Sequence, residues 1–285
     1  MATICVTGAG GKIGRATVAE LLAHGHDVLA VDVADAPRDD VPSVQADLAD
    51  LRRTRDVLSR AEAVVHLANV PGPDMRPPAE TFATNVSVNL NVFRAAAELG
   101  LRRVVWASSA GTLGVPFDMP PRYAPLDEDH YPLPTTSYAL SKVVSETMAS
   151  SFAASSAASY VALRFSYVVD GDDYAEFPSH AADPLLRKWI LWSYLDVHDA
   201  AAACRLALEA PIEGAASYVV AAADAVLDRP SVDVLREVFP ATPLRRPLGT
   251  FESLLSSERA RRELGFEPRH SWRDKIGAAS SPSRR

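Results

Sequence analysis

Short β-branched runs alternate along the first half of the chain with longer segments of helical periodicity, and that alternation limits the available folds more than any other feature. Ala2–Thr7, Asp27–Asp32, Ala63–Leu67, Arg103–Ser108 and Tyr160–Phe165 read as strands. Gly14–Ala23, Leu51–Leu58, Thr81–Leu99 and Ser137–Ala154 read as helices between or before them. Strand-helix-strand units cross over right-handedly and build parallel sheets covered on both faces, so the expected class is α/β, a doubly wound parallel sheet. Past about Asp170 the alternation breaks at Pro178, Pro184 and the cluster Trp189, Trp192 and Tyr194, before a helix resumes near Asp199–Leu208. Residues 1–168 are therefore expected to form the sheet domain with its long helices. Residues 169–285 are expected to form mainly a small substrate-binding lobe, with some segments returning to the sheet and a frayed tail at Ser280–Arg285.

Composition narrows the partners. With 48% hydrophobic residues in 285, a full core can be buried. A net charge of −7 without a basic run argues against nucleic acid. Cys5 and Cys204 offer neither a disulfide framework nor a zinc cluster. No stretch approaches the ~18 apolar residues of a membrane span, and the start of the chain lacks a leader pattern, so a cytoplasmic protein is expected.

The turn Thr7-Gly8-Ala9-Gly10-Gly11-Lys12-Ile13-Gly14 joins the first strand to the first helix. There a dinucleotide pyrophosphate can rest on helix amides, with Gly8 making the tight turn, Gly11 admitting the phosphate and Gly14 packing helix on strand. Asp32 ends the second strand 18 residues after Gly14, where a carboxylate can accept from ribose hydroxyls and repel a 2′-phosphate. This favours NAD over NADP, with Arg15 and Arg38 nearby as counterweights. Tyr138 and Lys142 lie one helical turn apart, roughly 6 Å along the axis. An ammonium beside a phenol favours the phenolate, so Tyr138 can exchange a proton with a substrate hydroxyl. Ser108-Ser109 ends a strand opening on the same crevice, where a serine hydroxyl can hold the substrate oxygen.

On these residues the chain resembles the extended short-chain dehydrogenase/reductase family of the NAD-dependent epimerase/dehydratase type, which includes nucleotide-sugar epimerases, dehydratases and uronate dehydrogenases. The likeness runs from Thr3 to about Trp272. Besides the glycine turn and the Tyr138/Lys142 pair it includes Asp47-Leu48, His66-Leu67-Ala68, Asn85-Val86, the segment Leu195–Ala200 and the tail Ala260–Pro268. The resemblance implies a Rossmann fold in which Asp47 and Leu48 flank the adenine, Leu67 and Ala68 line the cofactor and Asn85 lies near it. It also brings Lys12, Ile13 and Phe165 to the cofactor and gives Lys142 the nicotinamide ribose. The family's catalytic serine stands five residues before a glycine, which selects Ser109 over Ser108 by counting back from Gly114. A homodimer through the helices Thr81–Leu99 and Ser137–Ala154 is implied as well.

The chain departs from the nucleotide-sugar members at two places: Tyr167 stands where they carry an asparagine, and Leu113 where they carry a tyrosine. Arg187 to Trp192 resembles the segment with which uronate dehydrogenases hold a sugar acid, making Arg187 and Tyr167 candidate substrate contacts. Arg187 could equally cap a surface loop and pair with Asp183. His66 reads as a strand-end residue and His130 as loop surface. With His198 they show no ligand spacing, and the loop carboxylates Asp127-Glu128-Asp129 and Asp172-Asp173 read as solvated, so no metal is assigned. The expected function is hydride transfer between NAD and a secondary alcohol or hemiacetal carbon of a sugar-like small molecule, uronic acids included, with Ser109, Tyr138 and Lys142 catalytic. The alternatives are a nucleotide-sugar 4-epimerase that retains its NAD and an inactive dinucleotide-binding protein.

Overall fold

The structure is a computed structural model in which residues 3–34, 40–117, 119–130 and 132–279 are described. Arg38 and the tail Ser280–Arg285 lie outside the described residues. The order begins β1 (Thr3–Thr7), α1 (Lys12–Ala23), β2 (Asp27–Asp32), β3 (Ser43–Gln45), α2 (Leu51–Leu58), β4 (Ala63–His66), α3 (Pro78–Leu99), β5 (Arg103–Ser109), α4 (Ser137–Ser155) and β6 (Ser159–Phe165). It continues with β7 (Val168–Val169), α5 (Phe177–Ala182), β8 (Leu195–Asp196), α6 (Val197–Glu209), β9 (Ala215–Val220), α7 (Ser231–Val238), α8 (Glu258–Leu264) and α9 (Trp272–Ala279).

Seven strands form one sheet in the order β3-β2-β1-β4-β5-β6-β9, every pair parallel. The winding reverses between β1 and β4, so a crevice opens beyond the carboxyl ends of those two strands. Every residue of β4 and β6 is buried, as expected of strands covered on both faces. Alternate residues feed two cores. Ile4, Val6, Val65 and Leu163 pack with Val18 and Leu21 of α1 and Ala203 and Cys204 of α6, while Cys5, Val64, Val104 and Trp106 pack with Leu58 of α2 and Val92 and Phe93 of α3.

Helix starts are fixed by local chemistry. Asp50 accepts from the Arg52 and Arg53 amides, Thr136 from Ala139, and Asp196 from His198, each satisfying donors that the first turn leaves free. Helix α1 begins at Lys12, two residues before the expected Gly14, because Gly14 is already helical and packs its bare face on the turn. β9 escaped the sequence pattern because its opening Ala215-Ala216-Ser217 lacks the apolar alternation of a strand. His130 is not loop surface: it is buried, edge-on to Tyr123 at 5.6 Å between centroids. The acidic loops are not merely solvated either. Glu128 accepts from the Val219 amide at 2.6 Å, and Asp127 accepts from the Tyr123 hydroxyl at 2.7 Å. Among the described residues no helix is long and apolar enough to cross a membrane.

Candidate active site

At Gly8 the backbone is left-handed (φ 69°), and a Cβ would stand 2.7 Å from the Ala68 amide nitrogen. At Gly14 a Cβ would lie 2.0 Å from the Gly8 carbonyl oxygen. The turn thus presses against the exit of β4 and α1 presses against the turn, contacts that only glycine permits. Gly11, at the N-cap, supplies no side chain to the first amides of α1, and no acidic residue occupies that turn. Uncapped amides at the positive end of a helix, at the mouth of the crevice, fit a pyrophosphate. Asp32 closes the other side: its Oδ2 accepts from the Gly10 amide at 2.8 Å and its Oδ1 from Ala34 at 3.2 Å. These residues fit a dinucleotide.

Other expected cofactor contacts have further attachments. The Lys12 ammonium pairs with Asp173 and, at 3.4 Å, with Asp170, tying the turn to the 3-10 segment Gly171–Glu176. Asp173 is therefore not a solvated loop carboxylate. Asp47 is exposed, whereas the Leu48 side chain is buried in the core beneath α2. Ile13, Leu67 and Ala68 are partly buried, and Phe165 is buried beside them in the sheet core. Asn85 is fully buried: it accepts from the Val70 amide at 2.8 Å and donates to the Val70 carbonyl at 3.1 Å. Its side chain braces the loop after β4.

Ser109 ends β5 and Tyr138 opens α4. The Ser109 side chain lies close enough to the Tyr138 phenol to ease its ionisation. The Ser109 Oγ also accepts from the Gly111 amide at 3.0 Å, whereas Ser108 donates to Glu146 Oε1 at 2.6 Å and so is committed to a different network. The Lys142 ammonium lies 5.5 Å from the Tyr138 ring centroid and donates to Asn69 Oδ1 at 2.9 Å and to the Ala107 carbonyl at 2.8 Å.

The electrostatics differ from the sequence expectation. Desolvation raises the Tyr138 phenol above its ordinary range, with the Ser109 hydrogen bond pulling the other way. Lys142 is itself pushed down to about 7 by burial, opposed by the charge of Glu146. In the protein alone, each charged form is penalised by the same dry surroundings, and the lysine does not bring the phenol toward neutrality.

A buried polar network behind these residues was not read from the sequence. His66 is held neutral by burial, its pKa lowered to about 3. Its Nε2 meets Asn89 Oδ1 at 2.9 Å, and its Nδ1 meets the Thr7 hydroxyl at 2.7 Å. Since Asn89 Oδ1 only accepts, Nε2 carries the proton and Thr7 donates to Nδ1. Asn69 Nδ2 also donates to Asn89 Oδ1, at 2.9 Å, and Asn89 Nδ2 donates to Ser145 Oγ at 2.7 Å. One sequence signal was present: Asn85 and Asn89 share a face of α3 at one-turn spacing, as Ser141 and Ser145 do on α4.

Arg187 does not cap a surface loop. It is 4% exposed, donates to the Ser193 carbonyl at 3.0 Å, and makes no pair with Asp183, whose Oδ1 caps Leu185 at 2.9 Å. Its guanidinium lies 5.0 Å from the Tyr167 centroid, 5.1 Å from Phe177 and 5.9 Å from Trp189. Its Nε is buried without a partner among the described residues, and desolvation lowers its pKa to about 10. Next in the loop, Leu191 and Trp192 hold left-handed backbone at φ 51° and 56°, strain that a packed surround must sustain. Trp192 is core, while Trp189, Tyr167, Glu176, Phe177, His180 and Arg187 border a cavity of about 420 Å³. It lies beyond the end of β6, whose Phe165 is in register with Ser109.

The sequence profile of the NAD dependent epimerase/dehydratase family matches residues 4–221. The chain belongs to that family. A UDP-glucose 4-epimerase of Corynebacterium glutamicum is 28% identical over 306 residues, covering 94% of this chain and 91% of its own. An L-arabinose 1-dehydrogenase (NAD(P)(+)) of Haloferax volcanii is 29% identical over 184 residues, 62% of this chain and 71% of its own. Among solved structures, MoeE5 in complex with UDP-glucuronic acid and NAD superposes with a TM-score of 0.73 at 25% identity, over 96% of each chain. A short-chain dehydrogenase/reductase superfamily protein from Agrobacterium tumefaciens with bound NAD gives 0.74 at 23% identity, covering 97% of this chain and 95% of its own, a likeness of fold. The protein is an NAD-dependent enzyme of the epimerase/dehydratase family with a Rossmann-like sheet.

Proposed function

We propose that the protein oxidises a secondary alcohol or hemiacetal carbon of a sugar-like substrate with NAD, and that Ser109, Tyr138 and Lys142 carry the reaction. The observation that supports this most is the approach of Ser109 to the Tyr138 phenol, with the Lys142 ammonium 5.5 Å from the tyrosine ring centroid. Ser109 orients the substrate oxygen, and Tyr138 takes its proton. Lys142, fixed by Asn69 and Ala107, presents positive charge on the cofactor side of the phenol. Bound NAD supplies the hydride acceptor and a cationic ring that favours the phenolate.

Arg187 and Tyr167 are proposed to line the substrate side, in a lobe drawn mainly from residues 169–285. A buried guanidinium with a free Nε among three aromatic rings suits an anionic group beside a sugar ring, as in a uronic acid. A second reading is supported by the epimerase likeness over most of the chain: a nucleotide-sugar 4-epimerase that keeps its NAD and reoxidises it each cycle. Incubation with NAD and a panel of sugars, uronic acids and nucleotide sugars separates the two. Stoichiometric NADH is expected for net oxidation, whereas an inverted product without NADH accumulation selects epimerisation. A cytoplasmic location and a homodimer through α3 and α4 belong to the same proposal.

A further inference from the structure

The sequence reading weighed His66, His130 and His198 and assigned no metal, yet the fold brings His198 together with His270 at the start of α6. Asp196, His198 and His270 each direct a ligand atom to one point, all within 4.8 Å of one another. Asp196 Oδ1 is 2.8 Å from His198 Nδ1 and 3.8 Å from His270 Nδ1, and Asp199 Oδ1 is 2.9 Å from His270 Nδ1. We propose that Asp196, His198 and His270, with Asp199 beside His270, form a binding site for one divalent transition-metal ion of the zinc type, clamping the segment before α9 to the start of α6.

Three observations support this beyond proximity. The two carboxylates are buried, and the histidines are the only basic side chains paired with them among the described residues. A doubly negative pocket closed by imidazoles is a site where one dication can replace the protons that would otherwise balance the charge. It also outweighs the positive end of α6, which by itself opposes a cation.

Next, the carboxylates are held from behind, as ligands usually are. Asp196 Oδ2 accepts from the Tyr174 hydroxyl at 2.6 Å, and Asp199 Oδ2 accepts from the Arg269 and His270 amides at 3.0 and 3.1 Å. Both Oδ1 atoms are thereby turned to the imidazoles, although each also receives one amide, from His198 and from Arg269. Last, tetrahedral zinc with bonds of about 2.0–2.1 Å spaces its ligand atoms about 3.4 Å apart. The Asp196 Oδ1 spacings of 2.8 and 3.8 Å to the two imidazoles bracket that value. Two nitrogen donors and one carboxylate oxygen, with a fourth position left for solvent, suit zinc or cobalt over magnesium or calcium. The buried thiols Cys5 and Cys204 do not compete.

The test uses the full, untagged chain, stripped with a chelator and titrated with Zn²⁺ by calorimetry and with Co²⁺ by visible absorption. One equivalent of each is expected, with the intense visible bands of tetrahedral cobalt and a rise in Tm on loading. His198→Gln, at an exposed side chain that leaves the fold intact, and His270→Gln are expected to weaken binding by about tenfold or more and to abolish the Tm rise. Less than one equivalent bound at 100 µM metal, or binding equally strong in the His198→Gln protein, overturns the proposal.

Discussion

Tyr138 and Lys142 are separated by one turn of one helix, but their chemistry depends on how dry that turn is. Removing the phenol oxygen leaves the cofactor crevice untouched. Tyr138→Phe is therefore expected to lower kcat by about 10²- to 10⁴-fold while the NAD Kd stays within a factor of two or so, measured by steady-state kinetics and fluorescence titration. Lys142 has a second consequence, for stability. Its folded pKa of about 7 lies below its ordinary lysine value, so between pH 7 and 10 the unfolded chain binds more protons and this residue makes stability rise with pH. Below pH 7 both states are protonated and the cost of the buried charge is carried in full. In urea melts, the difference in stability between the wild type and Lys142→Met should move in favour of the wild type from pH 7.5 to 9.5. A difference that stays flat over that range contradicts the burial argument. The tyrosine, the lysine and the serine pair were legible because strand end and helix spacing are local. His66, Asn69 and Asn89 were not, since each is satisfied mainly by residues 20 or more positions away, apart from the contacts of Asn69 with Ala68 and His66.

Helix α4 carries a second anchor one turn beyond Lys142. Glu146 receives Arg164 through Nε at 2.9 Å and Nη2 at 2.7 Å, and Ser108 at 2.6 Å, joining α4, β6 and β5 where the side chains are nearly dry. Breaking such a pair strands a buried guanidinium. Glu146→Gln is expected to cost about 3 to 5 kcal/mol in denaturant unfolding. Replacing both partners, as in Glu146→Leu with Arg164→Met, should recover much of the loss. The elements themselves were readable where hydrophobic period and length agreed, as in α3 and β5. They were missed where alanine dilutes the pattern, as in β9. Similarly, His198 and His270 were not associated because the turn before α9 that carries His270 has no periodicity to announce its partner.

Across the whole molecule, the first half follows from alternation of strand and helix, but the second half is set by contacts that no local pattern encodes. Phe117 donates its amide to the Trp189 carbonyl, and Leu126 to Leu254, so this part of the molecule is assembled from three distant stretches of chain. The adjacent helices α3 and α4 leave Leu90 and Leu140 exposed at 41% and 43%. Light scattering at micromolar concentration is expected to give a dimer. Leu90→Asp with Leu140→Asp should give a monomer, and an unaltered mass would move the interface elsewhere.

The hydrogen-bonded line from Thr7 through His66 and Asn89 to Ser145 spans strand, strand, helix and helix with no water-filled gap required. Displacing the glycine turn relative to the helix that bears Tyr138 by even an ångström would orphan one of these groups in a dry interior. The alignment of the two halves of the crevice is consequently completed during folding rather than at each turnover. The segments around Arg187 and Gly171–Glu176 take no part in that line.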